Sequence, residues 1–228
     1  MNKLTSVAGA GVTALALGLA LVGCGGSDSS TEATSSAGES STSSEEADTS
    51  TPAEAAGPKE TIQDYVKKNG IQEVAVQPGD PMAPTIALPV PPGWQQTDQL
   101  PNAPFGAIVF TESKVPDNPP RVLALMSKLV GDVDPRELLE YAPGELQNMP
   151  GWVGNEGKQI TLSGYDAFQI GGTYEIEGKK GMIAQETVVV PAEDGVFVLQ
   201  LNAYSDQSEA PILADATTII DNEVVITP

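Results

Sequence analysis

Residues 159–203 read QITLSGYDAFQIGGTYEIEGKKGMIAQETVVVPAEDGVFVLQLNA, and this run decides the fold. It divides into four apolar-rich segments, Gln159 to Ser163, Ala167 to Ile176, Met182 to Val190 and Val196 to Ala203, joined by short connections rich in Gly, Asp and Glu. Connections of that length join antiparallel neighbours, because a parallel crossover needs a dozen or more residues. Phe168, Ile170, Tyr174 and Ile176 alternate with Gln169, Thr173 and Glu175, which predicts a strand with one face on the core and one toward water. Val196-Phe197-Val198-Leu199 is apolar on both faces, so its strand is expected at the centre of the sheet.

Downstream, the stretch from about Asp206 to Asp221 predicts a helix. Its Ile212, Ala216 and Ile219, with Leu213 and Ile220 beside them, would pack on the sheet. Upstream, Asp134 as N-cap and Pro135 at the first helical position predict another helix, interrupted at Pro143-Gly144. Before it, Arg121 to Val130 reads as a long strand. Gln95 to Asn118 reads as Pro-rich loop broken by a strand at Ala107 to Thr111. Thr85 to Val90 and Ile71 to Val76 are extended, and a short helix opens at the N-cap Thr61, with Asp64 completing a capping box and Asn69-Gly70 supplying the stop. Strands in groups with helices at the ends predict an α+β fold, an antiparallel sheet carrying helices.

The N-terminal quarter has a different character. Met1 to Gly23 holds one basic residue, Lys3, and then a short apolar run from Val7 to Val22, too short and too rich in glycine for a membrane-spanning helix and read as a signal peptide. Leu21-Val22-Gly23-Cys24 has the pattern of a bacterial lipoprotein signal. A cut before Cys24 would leave its sulfur as the site of lipidation and the anchor to the outer face of the cell membrane. Each buried methylene of an acyl chain adds about 0.8 kcal/mol of membrane affinity, so several chains hold durably where one does not. From Gly25 to Gly57 the chain is Ser/Thr-rich and acidic, with no Val, Ile, Leu, aromatic or basic residue, which predicts a disordered tether with a reach of roughly 30 Å. The organisation expected is 1–23 signal, 24–57 lipidated cysteine and tether, and 58–228 one α+β binding domain.

Composition excludes several functions. With 31 acidic against 11 basic residues and a net charge of −20, the chain offers few contacts to a phosphate backbone, so nucleic acid is not an expected partner. There is no histidine, which removes imidazole acid-base chemistry, His-activated nucleophiles and His-ligated metals. One cysteine forms no internal disulfide or redox pair. No phosphate loop or Gly-x-Ser-x-Gly motif occurs, and Gly171-Gly172 lies inside a strand. Asp132 and Asp134 begin like a calcium loop, but Arg136 and Glu137 occupy the next ligand position and the required glycine. No catalytic residue, metal or cofactor is therefore expected. A pair of acidic side chains about 5–9.5 Å apart in a cleft would be needed to revive a carboxylate hydrolase. Trp94 and Trp152, each following a glycine in a Pro-rich stretch, and Phe105 in a nearby loop are candidate ligand-binding aromatics, since such rings suit sugars and acyl grooves. Core packing is the competing role for each.

The motif at Cys24, the acidic tether, TIQDYV at Thr61 to Val66, GDPMAPTIALPVPPGW at Gly79 to Trp94, YAPGELQNMPGW at Tyr141 to Trp152 and VFVLQLNA at Val196 to Ala203 together resemble the actinobacterial LpqN/LpqT lipoproteins. The resemblance runs from end to end. It implies a PsbP-like fold, an antiparallel sheet sandwiched by helices, and a non-enzymatic role in mycolate-bearing envelopes. It further implies association with trehalose glycolipids and MmpL-type lipid export. Some members, once released, are implied to engage a host partner such as a ubiquitin ligase. The expected function is binding of a trehalose-mycolate-type glycolipid; the alternative is a protein-protein adaptor with no small-molecule ligand.

Overall fold

The computed structural model describes residues 58–100 and 102–228; the signal, Cys24 and tether readings lie outside them. Its principal element is a nine-stranded sheet in which β10 (Gly195–Asp206) lies between β5 (Arg121–Val130) and β9 (Lys179–Ala192). Outward from β5 come β4 (Ala107–Phe110) and β3 (Trp94–Gln96), with β1 (Gln72–Ala75) also on β5. Outward from β9 comes β8 (Tyr165–Ile176), which carries β6 (Val153–Gly154) and β7 (Lys158–Leu162). These pairings are antiparallel. The expected α+β class and the central place of Val196 to Leu199 are both observed.

Local chemistry explains the turns. Glu177 and Gly178, at φ 53 and φ 74, form the two-residue link between β8 and β9. Positive φ at both central positions suits the right-handed twist of a hairpin. Between β9 and β10 the link is Glu193-Asp194, and Lys128 on β5 pairs with Asp194 at 2.6 Å.

Alternation along β10 feeds two cores. Phe197, Leu199, Leu201 and Ala203 face a cluster completed by Leu213, Ala216 and Ile220 of α4 (Ala210–Glu223). Val196 and Val198 face the other side, against Tyr65 and Val66 of α1 (Ile62–Asn69) and Leu138 and Leu139 of α2 (Pro135–Tyr141). Further along that side, Leu146 of the short α3 (Gly144–Gln147) packs on Ile170 and Ile183. Helices thus cover both faces of the sheet. The α4 stripe is centred on Leu213, Ala216 and Ile220 rather than on Ile212 and Ile219, a rotation that turns Asp221 toward β8.

The α1 capping box forms as expected: Thr61 N–H donates to Asp64 at 2.8 Å, and Gly70 ends the helix in the left-handed region at φ 63. Asp134 caps α2 by accepting from Arg136 and Glu137 N–H, the structural use of the residue that resembled a calcium ligand. Tyr65 ties the two helices, its hydroxyl accepting from Asp134 N–H at 3.0 Å. Besides the two-residue β6, three elements among the described residues go beyond the sequence expectations. β3 begins at Trp94 inside a Pro-rich stretch, α3 follows Pro143, and β11 (Val225–Thr227) pairs with β2 (Thr85–Ala87) at the chain's end.

Candidate functional site

On the α4 side of the sheet, Gln169 of β8 stands directly opposite Glu186 of β9. Residues on this face alternate through Ala167 and Gln169 on one strand and through Val188 and Glu186 on the other, so apolar core gives way to a polar pair along the same face. α4 places Asp221 over that pair. Gln169 Nε2 donates to Glu186 Oε1 at 2.7 Å and to Asp221 Oδ2 at 2.9 Å, so one amide group bridges strand, strand and helix. The face that alternation assigned to water is therefore a helix-covered face, and Gln169 serves as its polar link. Ile176, assigned to the core, lies at the hairpin end and is 46% exposed.

Glu186 is 5% exposed. Burial raises its pKa most, the hydrogen bond and negative charge of Asp221 raise it further, and Gln169 and Lys158 act in the opposite sense, leaving the carboxyl pushed up to about 8. Glu186 thus holds its proton to higher pH than an ordinary carboxyl group does. Asp221 Oδ1 is buried and has no hydrogen-bond partner among the described residues. A buried acceptor in that state is stabilised by any donor that reaches it.

These groups lie at one end of a hollow of about 330 Å³ between α4 and the sheet. Val122, Met182, Ala184, Leu201 and Ala203 make its sheet wall apolar, while Ala214, Thr217 and Ile220 line it from the helix. The volume is at the low end of ligand pockets. Both carboxyl groups accept from the one Gln169 nitrogen, at 2.7 and 2.9 Å, so that amide group and not a sugar occupies the space between them.

The three aromatic candidates do not converge on this hollow. Trp94 is 8% exposed and packs in the α4-side core, its ring centroid 5.8 Å from that of Phe110. Phe105 packs at the edge of the same core and lines a separate hollow of about 520 Å³ with Gln95, Gln96 and Thr97. Trp152 lies on the opposite face, against Leu146, Ile170 and Ile183. A Cβ on Gly154 or Gly172 would enter the Trp152 ring, which gives the in-strand glycines their role: they admit an indole rather than a phosphate. A hollow of about 490 Å³ on that opposite face is lined by Leu125, Val198, Gln200 and Glu145.

Sequence reasoning missed Glu186 and Asp221. One signal was available: Gln185-Glu186-Thr187 interrupts an otherwise apolar, central strand, and a charged residue there requires a buried partner.

An antiparallel sheet covered by helices on both faces, with a mixed polar and apolar hollow beneath one of them, defines an α+β sandwich. The chain belongs to the family described as Probable lipoprotein LpqN, whose sequence profile matches residues 58–227. Lipoprotein LpqN of Mycobacterium tuberculosis is 48% identical over 176 residues, covering 77% of each chain. The crystal structure of that protein, described as involved in cell envelope biogenesis, superposes with a TM-score of 0.72 over 75% of this chain and all of its own. The lipoprotein LpqT of Mycobacterium leprae is 23% identical over 171 residues, covering 73% of this chain and 76% of its own. Membership of a lipoprotein family agrees with attachment to a membrane by a lipid anchor.

Proposed function

We propose that the chain is a non-catalytic envelope lipoprotein, anchored to the outer face of the cell membrane through Cys24, whose α4 hollow receives or presents an amphiphile of the trehalose-mycolate type near an MmpL-type exporter. The observation that carries this reading is the unpartnered Asp221 Oδ1 at the polar end of an otherwise apolar hollow. A sugar hydroxyl is a donor of the right size, and the methylenes behind it would lie along Met182, Ala184 and Leu201. The close carboxyl pair and the absence of histidine favour binding over hydrolysis. Trp94 acts as a core residue in this reading, and Phe105 and Trp152 remain candidates for contacts outside the hollow.

Calorimetric titration of the full-length chain with a short-chain trehalose monoester tests it. Binding that weakens about 10-fold or more in Asp221→Ala supports the reading, because a hydrogen bond to a charged acceptor contributes about 1.5–3 kcal/mol. No heat at millimolar ligand contradicts it.

A protein adaptor is the second reading. It draws on the apolar depression of about 510 Å³ formed by Met82, Pro84, Val190 and Phe197, where Met82 is 66% exposed. Partners recovered equally from lipid-extracted and untreated envelope would favour it, and a host partner after release belongs to this reading.

A further inference from the structure

We propose that Glu186 and Asp221 form an acid-tightened latch that holds α4 on the sheet and so controls access to the hollow beneath it. The latch itself rests on the fold; its consequence for a ligand rests on the binding reading above.

Two carboxyl groups from different elements, β9 and α4, accept from the same Gln169 amide, Glu186 buried and Asp221 half-buried. Like charges at that separation and burial do not both persist, and one proton held between them removes the conflict. The groups facing the pair are few. β8 contributes the neutral Gln169, β10 the apolar Leu201, and α4 the hydroxyl of Thr217 beside Asp221 itself. Lys158 of β7 is the nearby cation; it is exposed and acts on Glu186 more weakly than burial or Asp221 does. The conflict is therefore relieved by protonation or by separating α4 from β9, which hydrates both carboxyls.

The direction follows from linkage. In the closed state Glu186 keeps its proton up to about pH 8, whereas in an opened, hydrated state it ionises near its ordinary value of 4.5. The proton-linked preference for the closed state is complete below about pH 4.5. It falls up to tenfold per pH unit as pH rises toward 8 and is level above that. Acid conditions close the hollow and neutral to mildly alkaline conditions loosen it.

Amide exchange along α4 in the ligand-free, full-length chain tests the latch, with rates normalised for the intrinsic pH dependence of exchange. Protection of residues 213–221 should fall by close to tenfold per pH unit between about pH 5 and 8 and then level off. In Glu186→Gln, which keeps a neutral side chain of the same shape, the profile should be flat within about twofold at acid-state protection. A flat profile in the unaltered chain, or an unchanged slope in Glu186→Gln, would overturn the latch. If Glu186→Gln does not fold, carbon NMR titration of the Glu186 carboxyl decides: a midpoint near 8 supports the latch and one near 4.5 contradicts it. No ligand is present, so failure of the latch and failure of the binding reading are separate outcomes.

Discussion

Trp152 lies across Gly172 so closely that a single added methyl on the glycine would occupy the space of the indole ring. The contact closes the α3-side core at its open end, where Trp152 packs with Ile170, Ile183 and Leu146. Gly172→Ala should therefore destabilise the domain by about 1–3 kcal/mol through overpacking. Denaturant unfolding gives the number, and in the double variant with Trp152→Ala the added cost of the alanine should fall only in part, because the Cα of Gly154 and the carbonyl of Val153 also stand 2.6 and 2.7 Å from the new Cβ. An equal cost in both backgrounds would place the strain elsewhere.

A second tight approach sits where the domain begins. Gly144, at the start of α3, meets the carbonyl oxygen of Glu60, and a Cβ there would collide with backbone rather than a movable side chain. Nearby, Lys59 and Asn148 exchange two hydrogen bonds, at 2.7 and 2.8 Å. Gly144→Ala is expected to cost more than 2 kcal/mol, because something must shift in the chain itself. Thermal unfolding read by near-UV circular dichroism should show the loss; a midpoint unchanged within a degree would contradict the close contact.

Glu209, 2% exposed, holds the loop before β5 by accepting from Ser113 Oγ at 2.7 Å and from Lys114 N–H at 2.8 Å. Removing a buried, doubly bonded acceptor leaves two donors unmet. Glu209→Ala should cost about 2–4 kcal/mol, and Glu209→Gln less, because the amide oxygen still accepts one of the two bonds. Proteolysis of the 111–119 loop under native conditions should rise in the alanine variant. A loop equally resistant in both would show that the clamp does not hold it.

Stability as a whole should respond to pH with the sign that Glu186 dictates. Its folded pKa is raised, so its contribution is fully present below the unfolded value near 4.5 and is lost as pH rises to about 8. Unfolding free energy should decline by up to about 1.4 kcal/mol per pH unit across that window. Asp206, whose pKa is lowered by its hydrogen bonds from Ser208, acts oppositely and only in more acid solution: its contribution is present above the ordinary carboxylate value and fades as pH falls through the depressed one. Urea unfolding from pH 5 to 8 with and without Glu186→Gln separates the two, and a slope that persists in the variant assigns the dependence to other groups.

Much of the scaffold was legible because its signals are local. Arg121 to Val130 is an apolar-rich run bounded by Pro120 and Gly131, Asp134-Pro135 fixes the start of a helix, and Asn69-Gly70 fixes the end of another, each within a few neighbouring residues. β3 was hidden because Trp94 follows Pro-Pro-Gly and is held as a strand by pairing with Phe110. β11 was hidden because three residues become a strand only against β2. The site was illegible for the same physical reason. Gln169, Glu186 and Asp221 are far apart in sequence, and register between β8 and β9 together with the roll of α4 brings them to one amide group. Alternation located Gln169 on the correct face but could not supply the helix that covers it.

The most direct test of the account is an NMR shift map of the full-length chain titrated with a short-chain trehalose monoester at pH 7. The account predicts the largest shifts at the Gln169 side-chain amide, at Gly171 and Ala184, and along α4 at Thr217, Thr218 and Asp221. Shifts confined to the Phe105 hollow or to the α1 and α3 face, or no shifts at millimolar ligand, would contradict it.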